Sequence, residues 1–538
     1  VQISRRGFLL GAATISAVGG SSAAAAHAGT GPAAPGASSR RSPAGSWNCA
    51  LVRVNGRGGL VYPRRDGHRL PDFGHTGYHR GGRDIPDVPV VHSIAPLPDG
   101  ADNHDHIEAA IALVGALPVG EDGFRGALLL EGGVYPVSRT IDQPYSGVVI
   151  RGVGDGADPA TNTIIRPQGG DPERNAVVIG DNGNWDGEVP GTRTDLISDL
   201  VRVADAAFTV ADASGLSVGD NIIITHPCTQ EWIDAVDGGG TGIDAPWTPG
   251  QLPIVYNRYI TAITGNRVTV DVPLFTTLDR TLSQSYVYVW DQARRVTEVG
   301  IEDLRVDVAY DGPTTEAGSH AKHAIRIRQA EDAWVRRCTV LHFSQSGIVT
   351  GTTTRATVVS CHALDPVSEI TGSMRYNFNL ERNSQQVLFT DCHASESRHA
   401  FVSNGTSSVS GVVFHRTTAT GSHTSSEGHR QWTQGLLFDN HTEIDPNSER
   451  TIGLYNRGDW GTGHGWSAVH SVAWNTDTAG TQLVVQRPPT GQNYAIGCFG
   501  DITGDGPYTH PEGFIEGTDR GGLIPESLYE AQLADRLR

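Results

Sequence analysis

The sequence predicts an all-β chain: a single-stranded right-handed parallel β-helix with an N-terminal capping helix and a β-rich insertion. Three observations lead there. Overlaying AWVRRCTVLHFSQSGIVTG, ATVVSCHALDP, QVLFTDCHASESRHAFVSNG and GVVFHRTTATGSH puts Cys338, Cys361, Cys392 and Thr417 in one column, at intervals of 23, 31 and 25 residues. Leu304 in IEDLRV fits that column one coil earlier. Short Val/Phe/Thr runs at a period of about 20–30 residues suit stacked coils, none of which can bury its apolar face alone. Finally, 67 glycines and little helical periodicity favour one elongated β domain over several globules.

A second column lies on the same overlay. It reads Lys322-His323, Gln345-Ser346, Arg375-Tyr376 and Arg398-His399. Equivalent positions on successive coils stand about 4.8 Å apart, so these rungs would line roughly 15 Å of one face. Cations beside Tyr and His suit a polymer with repeated carboxylates; solvated loop ends are the plainer alternative. Strand parity would place His399 and Phe401 on one face, so a bend must intervene.

Taken in order, residues 1–28 carry Arg5-Arg6-Gly-Phe-Leu-Leu, an Ala/Gly-rich apolar run and Ala26-His27-Ala28, the pattern of a twin-arginine export signal. A secreted, soluble mature protein is expected. Residues 29–46 are Pro/Gly/Ala/Ser-rich and read as a disordered leader. Residues 47–159 hold an irregular arm with Tyr78, His79 and Arg80 on its surface, then a helix and the first coils. Ile107, Ile111 and Val114 repeat at helical spacing, with Asp102 or Asn103 as the cap. Residues 160–295 read as a β-rich insertion, with a Gly265-Asn266 turn and a long Gly/Pro/Trp loop at 228–250. The main coils and their groove occupy 296–500. The tail 501–538 ends in a short helix with Ser527 and Glu530 in its first turn.

A net charge of −18 argues against a nucleic-acid partner, and no run after the export signal approaches the length of a membrane span. Cys338, Cys361 and Cys392 look like a stacked interior ladder, while Cys49, Cys228 and Cys498 lack metal-type spacing. The sequence does not predict an oligomeric state.

The order helix, LLLEGGVYPVSRTI, VVIRGVG across residues 102–154 resembles the opening of the pectate-lyase-like β-helix superfamily. In that group the helix caps the open end of the coil stack. RYNFN, SRHAF, EGHRQW and LYNRGDWGTGHGW, between about 320 and 500, resemble segments of bacterial β-helix polysaccharide lyases. The resemblance implies a carbohydrate-active protein acting on an acidic polysaccharide, and it leaves calcium open as a bridging ion. DNGNWDGE (181–188) is rich in oxygen ligands but lacks EF-hand spacing.

A lyase must neutralise a uronate carboxylate, remove the C5 proton and help the C4 oxygen leave. Arg suits the first task through its planar, permanently charged fork. Arg375 and Arg398 are the candidates, with Arg430 and Arg457 behind them. Tyr376 and His399 are the leading acid/base pair, followed by His423 and His429. Hydrolysis, or intramolecular transglycosylation, would instead use two carboxylates from Glu369, Glu381, Asp391, Glu427 and Asp439. Binding without turnover would rest on Trp432, Trp460, Trp466 and Tyr455 as stacking surfaces. Lys322, His323 and His464 join them on the substrate-binding side.

Overall fold

The computed structural model describes residues 45–65, 67–171, 173–242, 245–313 and 320–538. The expected export signal and all but the last two residues of the expected leader lie outside them.

The fold is the expected parallel β-helix, a sheet of 29 strands. Each coil contributes three strands and so builds three faces. One coil consists of Thr354–Val359, His362–Leu364 and Tyr376–Leu380, and the next of Leu388–Thr390, His393–Ser395 and His399–Ser403. Each strand pairs in parallel with its counterpart one coil on. Side chains that repeat by coil therefore stack. Phe378 and Phe401 lie face to face with centroids 5.0 Å apart, and Phe414 and Phe438 follow at 4.9 Å. Such rings supply much of the apolar burial that holds an otherwise narrow coil together.

The cysteine column is in register. Leu304 pairs with Cys338, and the neighbouring pairs Thr339–His362, His362–His393 and His393–Thr418 carry the column through Cys361 and Cys392 to Thr417. It continues through His441 and Thr476 to Cys498, which its sequence spacing alone does not reveal. All six cysteines are buried and unpaired. Cys361 and Cys392 each donate to a carbonyl on the preceding coil, at 3.5 Å.

The bend that parity demands is present on the third face. Asn377 and Phe378 turn inward in succession, as do Ala400 and Phe401. Tyr376 and His399, one residue earlier, are thereby released to the outer side. Arg375 precedes this bend with φ of 58°, the left-handed region.

The helix His104–Gly115 covers the N-terminal end, burying Ile107, Ile111 and Val114 against the first coils. Asn103 occupies the cap position, but its side chain accepts from Leu97 N instead, and Asp102 takes the His104 N–H at 3.1 Å. The arm is less superficial than expected. Tyr78 is buried and donates to Glu298 at 2.6 Å, and Thr76 donates to Gly411 O at 3.0 Å, so the arm crosses several coils.

The insertion begins later than residue 160. Thr163–Pro167 and Asn175–Ile179 pair with coils on either side, so the chain leaves the stack only after Ile179. A six-stranded antiparallel sheet follows, spanning Thr194 to Val289. The long loop holds a short helix, Gln230–Ala235, capped by Thr229. At the other end the stack runs past residue 500 through Phe499–Thr503 and Phe514–Glu516. The terminal helix Leu528–Leu537 is capped by Ser527, whose Oγ accepts from Glu530 N at 3.1 Å.

Candidate functional site

The registered column Ser346, Tyr376, His399 on the outer third face brings two predicted residues together. One coil beyond His399, Ser426–Gly428 presents Glu427 from the adjacent outward column, in register with Val402 and Gly453. Tyr376, His399, Glu427 and His429 form one buried cluster. The rings of Tyr376 and His399 lie 5.2 Å apart, His399 and His429 4.6 Å, and His429 and His464 4.9 Å.

Glu427 is its anchor. The carboxylate accepts from Ser425 Oγ at 2.7 Å, Tyr455 OH at 2.7 Å and the Arg457 guanidinium, and His429 Nδ1 lies 2.8 Å from it. Burial alone would raise its pKa, but Arg457 and the histidines hold it well below the usual glutamate range. Arg457 is thus the internal counter-ion of Glu427 and not a group open to substrate.

A backbone acceptor fixes the tautomer of His399. His399 Nδ1 lies 2.6 Å from Ser425 O, which can only accept, so Nδ1 carries the proton. Its Nε2 is buried without a hydrogen-bond partner and presents a lone pair. Burial lowers the His399 pKa to about 3, so the ring is neutral at pH 7. His429 Nδ1 faces both the Glu427 carboxylate, an acceptor at 2.8 Å, and the Arg457 guanidinium, a donor, and burial with Arg457 keeps the ring neutral. Its Nε2 lies 3.3 Å from Tyr376 OH. The Tyr376 oxygen in turn accepts from Arg398 Nη1 at 3.1 Å and Ser373 N at 3.2 Å. A chain of hydrogen bonds, Tyr376–His429–Glu427, is therefore aligned, with Arg398 placed to steady a phenolate.

Partly exposed Arg398 and Arg430 stand at the rim, and Trp460, 39% exposed, is on the loop that carries Arg457 and His464, its ring 5.4 Å from the Arg457 guanidinium. The insertion holds that loop: Trp466 N donates to Gly239 O at 2.8 Å and Trp247 Nε1 to Gly463 O at 3.1 Å.

Other candidates stand elsewhere. Arg375 turns its guanidinium onto Ser368 O, at 2.5 and 2.8 Å, and so braces a loop from within. His423 is outside the cluster, bonded to Glu396 at 3.0 Å. Lys322 pairs with Glu173 at 2.6 Å, and His323 is buried beside it, two registered steps from Tyr376. Trp432 is buried against Trp232 and Trp247, the packing seam of the insertion, and Trp466 is buried too. Asp439 accepts from Ser527 Oγ and Tyr529 N and so anchors the terminal helix; burial raises its pKa to about 7. Glu381 pairs with Arg326 and Asp391 with Arg416, and Glu369 makes no contact with the cluster among those described. Ser425 is a site residue that the sequence does not single out, because only its position two residues before Glu427 connects it to the site.

His399, Glu427 and His429 bring one ligand atom each within 4.8 Å of one another, as do His79, Glu298 and Asp332. In the first cluster the Arg457 guanidinium already neutralises the carboxylate. Calcium takes six to eight oxygens, and one saturated carboxylate does not provide them.

No family model and no curated protein matches the chain. Solved structures with a similar fold include the tailspike protein gp49 from Pseudomonas phage LKA1, at 13% identity and TM-score 0.42, covering 77% of this chain and 74% of that one. An alginate lyase from Paenibacillus sp. str. FPU-7 is 8% identical with TM-score 0.39, covering 81% and 99%. A structure described as a glycoside hydrolase is 10% identical with TM-score 0.34, covering 82% and 100%.

Proposed function

We propose that the protein cleaves a uronate-containing polysaccharide by β-elimination. The observation that supports this most is the Tyr376–His429–Glu427 chain beside Arg398 and the free lone pair of His399. Arg398, with Arg430 near it at the rim, neutralises the substrate carboxylate, which makes the C5 proton acidic. His399 Nε2 takes that proton. The electron pair of the C5–H bond forms the C4–C5 double bond as the C4–O bond breaks. The leaving oxygen takes a proton from Tyr376, whose phenolate is steadied by Arg398 and reprotonated afterwards. The assignment follows from the hydrogen bonds: Nδ1–H of His399 is committed to Ser425 O, which leaves its Nε2 to accept, and the Tyr376 oxygen accepts from Arg398 and Ser373 N, which leaves its own proton to donate. His399 alone is a weak base, but a bound uronate adds negative charge and raises its pKa.

Hydrolysis would need two unengaged carboxylates flanking the bond. Glu427 is saturated by donors, and Asp439 is committed to the terminal helix. Both features weigh towards elimination.

The test is a pair of variants assayed for cleavage of acidic polysaccharides. Tyr376→Phe and His399→Ala should each lower kcat by about 10²–10⁴-fold, with thermal melting within a few degrees of the wild type. Near-normal turnover in either variant would overturn the assignment.

A further inference from the structure

The cation column extends one coil further back than the sequence overlay reaches. Asn175 is registered with His323, His323 with Ser346, Ser346 with Tyr376 and Tyr376 with His399. The residues immediately before them are Arg174, Lys322, Gln345, Arg375 and Arg398. Arg174 and Arg398 are thus four registered steps apart on one face, roughly 19 Å.

Arg174 lines a cleft of about 620 Å³ together with Arg139, Glu108, Asp142 and Asp171. The residue is 8% exposed, one Nη donates to Gln168 O at 2.6 Å, and Nε is buried without a partner. It forms no ion pair with a described residue. Asp142, on the cleft wall, starts the outward column Val178, Arg326, Val349, Asn379, Val402 that reaches Glu427. The cleft and the candidate catalytic cluster therefore sit at two ends of one strip. Between them Lys322, Arg326 and Arg328 are partly exposed.

We infer that the Arg174 cleft is a distal subsite for the same polysaccharide, taking a carboxylate-bearing sugar several residues from the bond that breaks. The lining suits such a unit. Arg174 offers donors to a carboxylate, with Arg139, paired to Asp105 at 2.6 Å, beside it, while Glu108, Asp142 and Asp171 accept from ring hydroxyls and would repel a dense anion without hydroxyls. The polymer then runs along the axis of the coil stack. This inference rests on the elimination reading above, and it makes the enzyme prefer chains long enough to reach both ends.

The test measures kcat/KM for di- and trisaccharide uronates, which cannot span the strip, and for long oligouronates and polymer, on oligogalacturonates and oligomannuronates in parallel. In the wild type the long chains should be preferred. Arg174→Ala should lower the long-to-short ratio about tenfold, through KM and not kcat, as expected for loss of one charge-assisted contact. Arg174→Lys should recover part of that ratio, which a merely misfolded variant would not show. An unaltered ratio in Arg174→Ala, with Tyr376→Phe still inactive, would overturn the subsite and leave the elimination reading standing. Absence of unsaturated product from every uronate tried would overturn both.

Discussion

Replacing Glu427 with Gln separates what holds the site together from what runs its chemistry. The buried carboxylate is the counter-ion of Arg457 and the acceptor for Ser425 and Tyr455, with His429 beside it. Glu427→Gln leaves a buried guanidinium without its partner, a change that costs about 3–5 kcal/mol. Unfolding entropy of roughly 2 cal/mol/K per residue makes each kcal/mol worth about 1 °C in a chain of this length, so melting should fall by roughly 3–5 °C at pH 7. The carboxyl is held below its ordinary range in the fold, so its contribution is fully present above the unfolded pKa of about 4.3 and lost as pH falls through the lower folded pKa. The gap between variant and wild type should therefore close in acid. Calorimetry across pH measures this. The double variant Glu427→Gln with Arg457→Met should regain most of the stability and none of the activity, because the charged pair that orients His429 is gone. Equal melting of Glu427→Gln and wild type at pH 7 would refute the counter-ion argument.

Two further outcomes follow from groups outside the cluster. Asp439 has its pKa raised to about 7 by burial, so the fold favours its protonated form; the stability tied to it is present below about pH 4 and declines as pH rises through about 7. Asp439→Asn should abolish that part of the pH slope in thermal melts, with activity at neutral pH little altered. Trp247→Ala removes the hydrogen bond to Gly463 O and the ring packed against the loop bearing Arg457 and His464. Activity should fall about tenfold or more although Trp247 touches no proposed reacting group, and kcat should carry the loss.

Much of this is legible in the chain because a solenoid repeats its register. The cysteine column and the Tyr376–His399 column need only correct overlay, since each coil fixes the next. What the overlay cannot supply is direction. Arg375 and Arg398 share a column, yet one folds under onto Ser368 O and the other reaches the rim, a difference set by the loop between Asp365 and Met374 and not by the strands. Asp439 looks like a strand-end acid because the helix that recruits it arrives 88 residues later through Ser527. Glu427 and Arg457, 30 residues apart, meet because they lie on adjacent coils, but nothing in either segment marks them as partners. The insertion boundary is misplaced in the sequence because Thr163–Pro167 and Asn175–Ile179 are separated by a turn long enough to hide the coil period.

The central claim is that bond breaking here is an elimination. The most direct measurement follows the purified protein on uronate polysaccharides, recording the ultraviolet absorbance of a C4–C5 unsaturated end alongside new reducing ends. The account predicts that the two rise together, one unsaturated end for each bond cut, and that both vanish in Tyr376→Phe. Reducing ends that accumulate without the absorbance would contradict it.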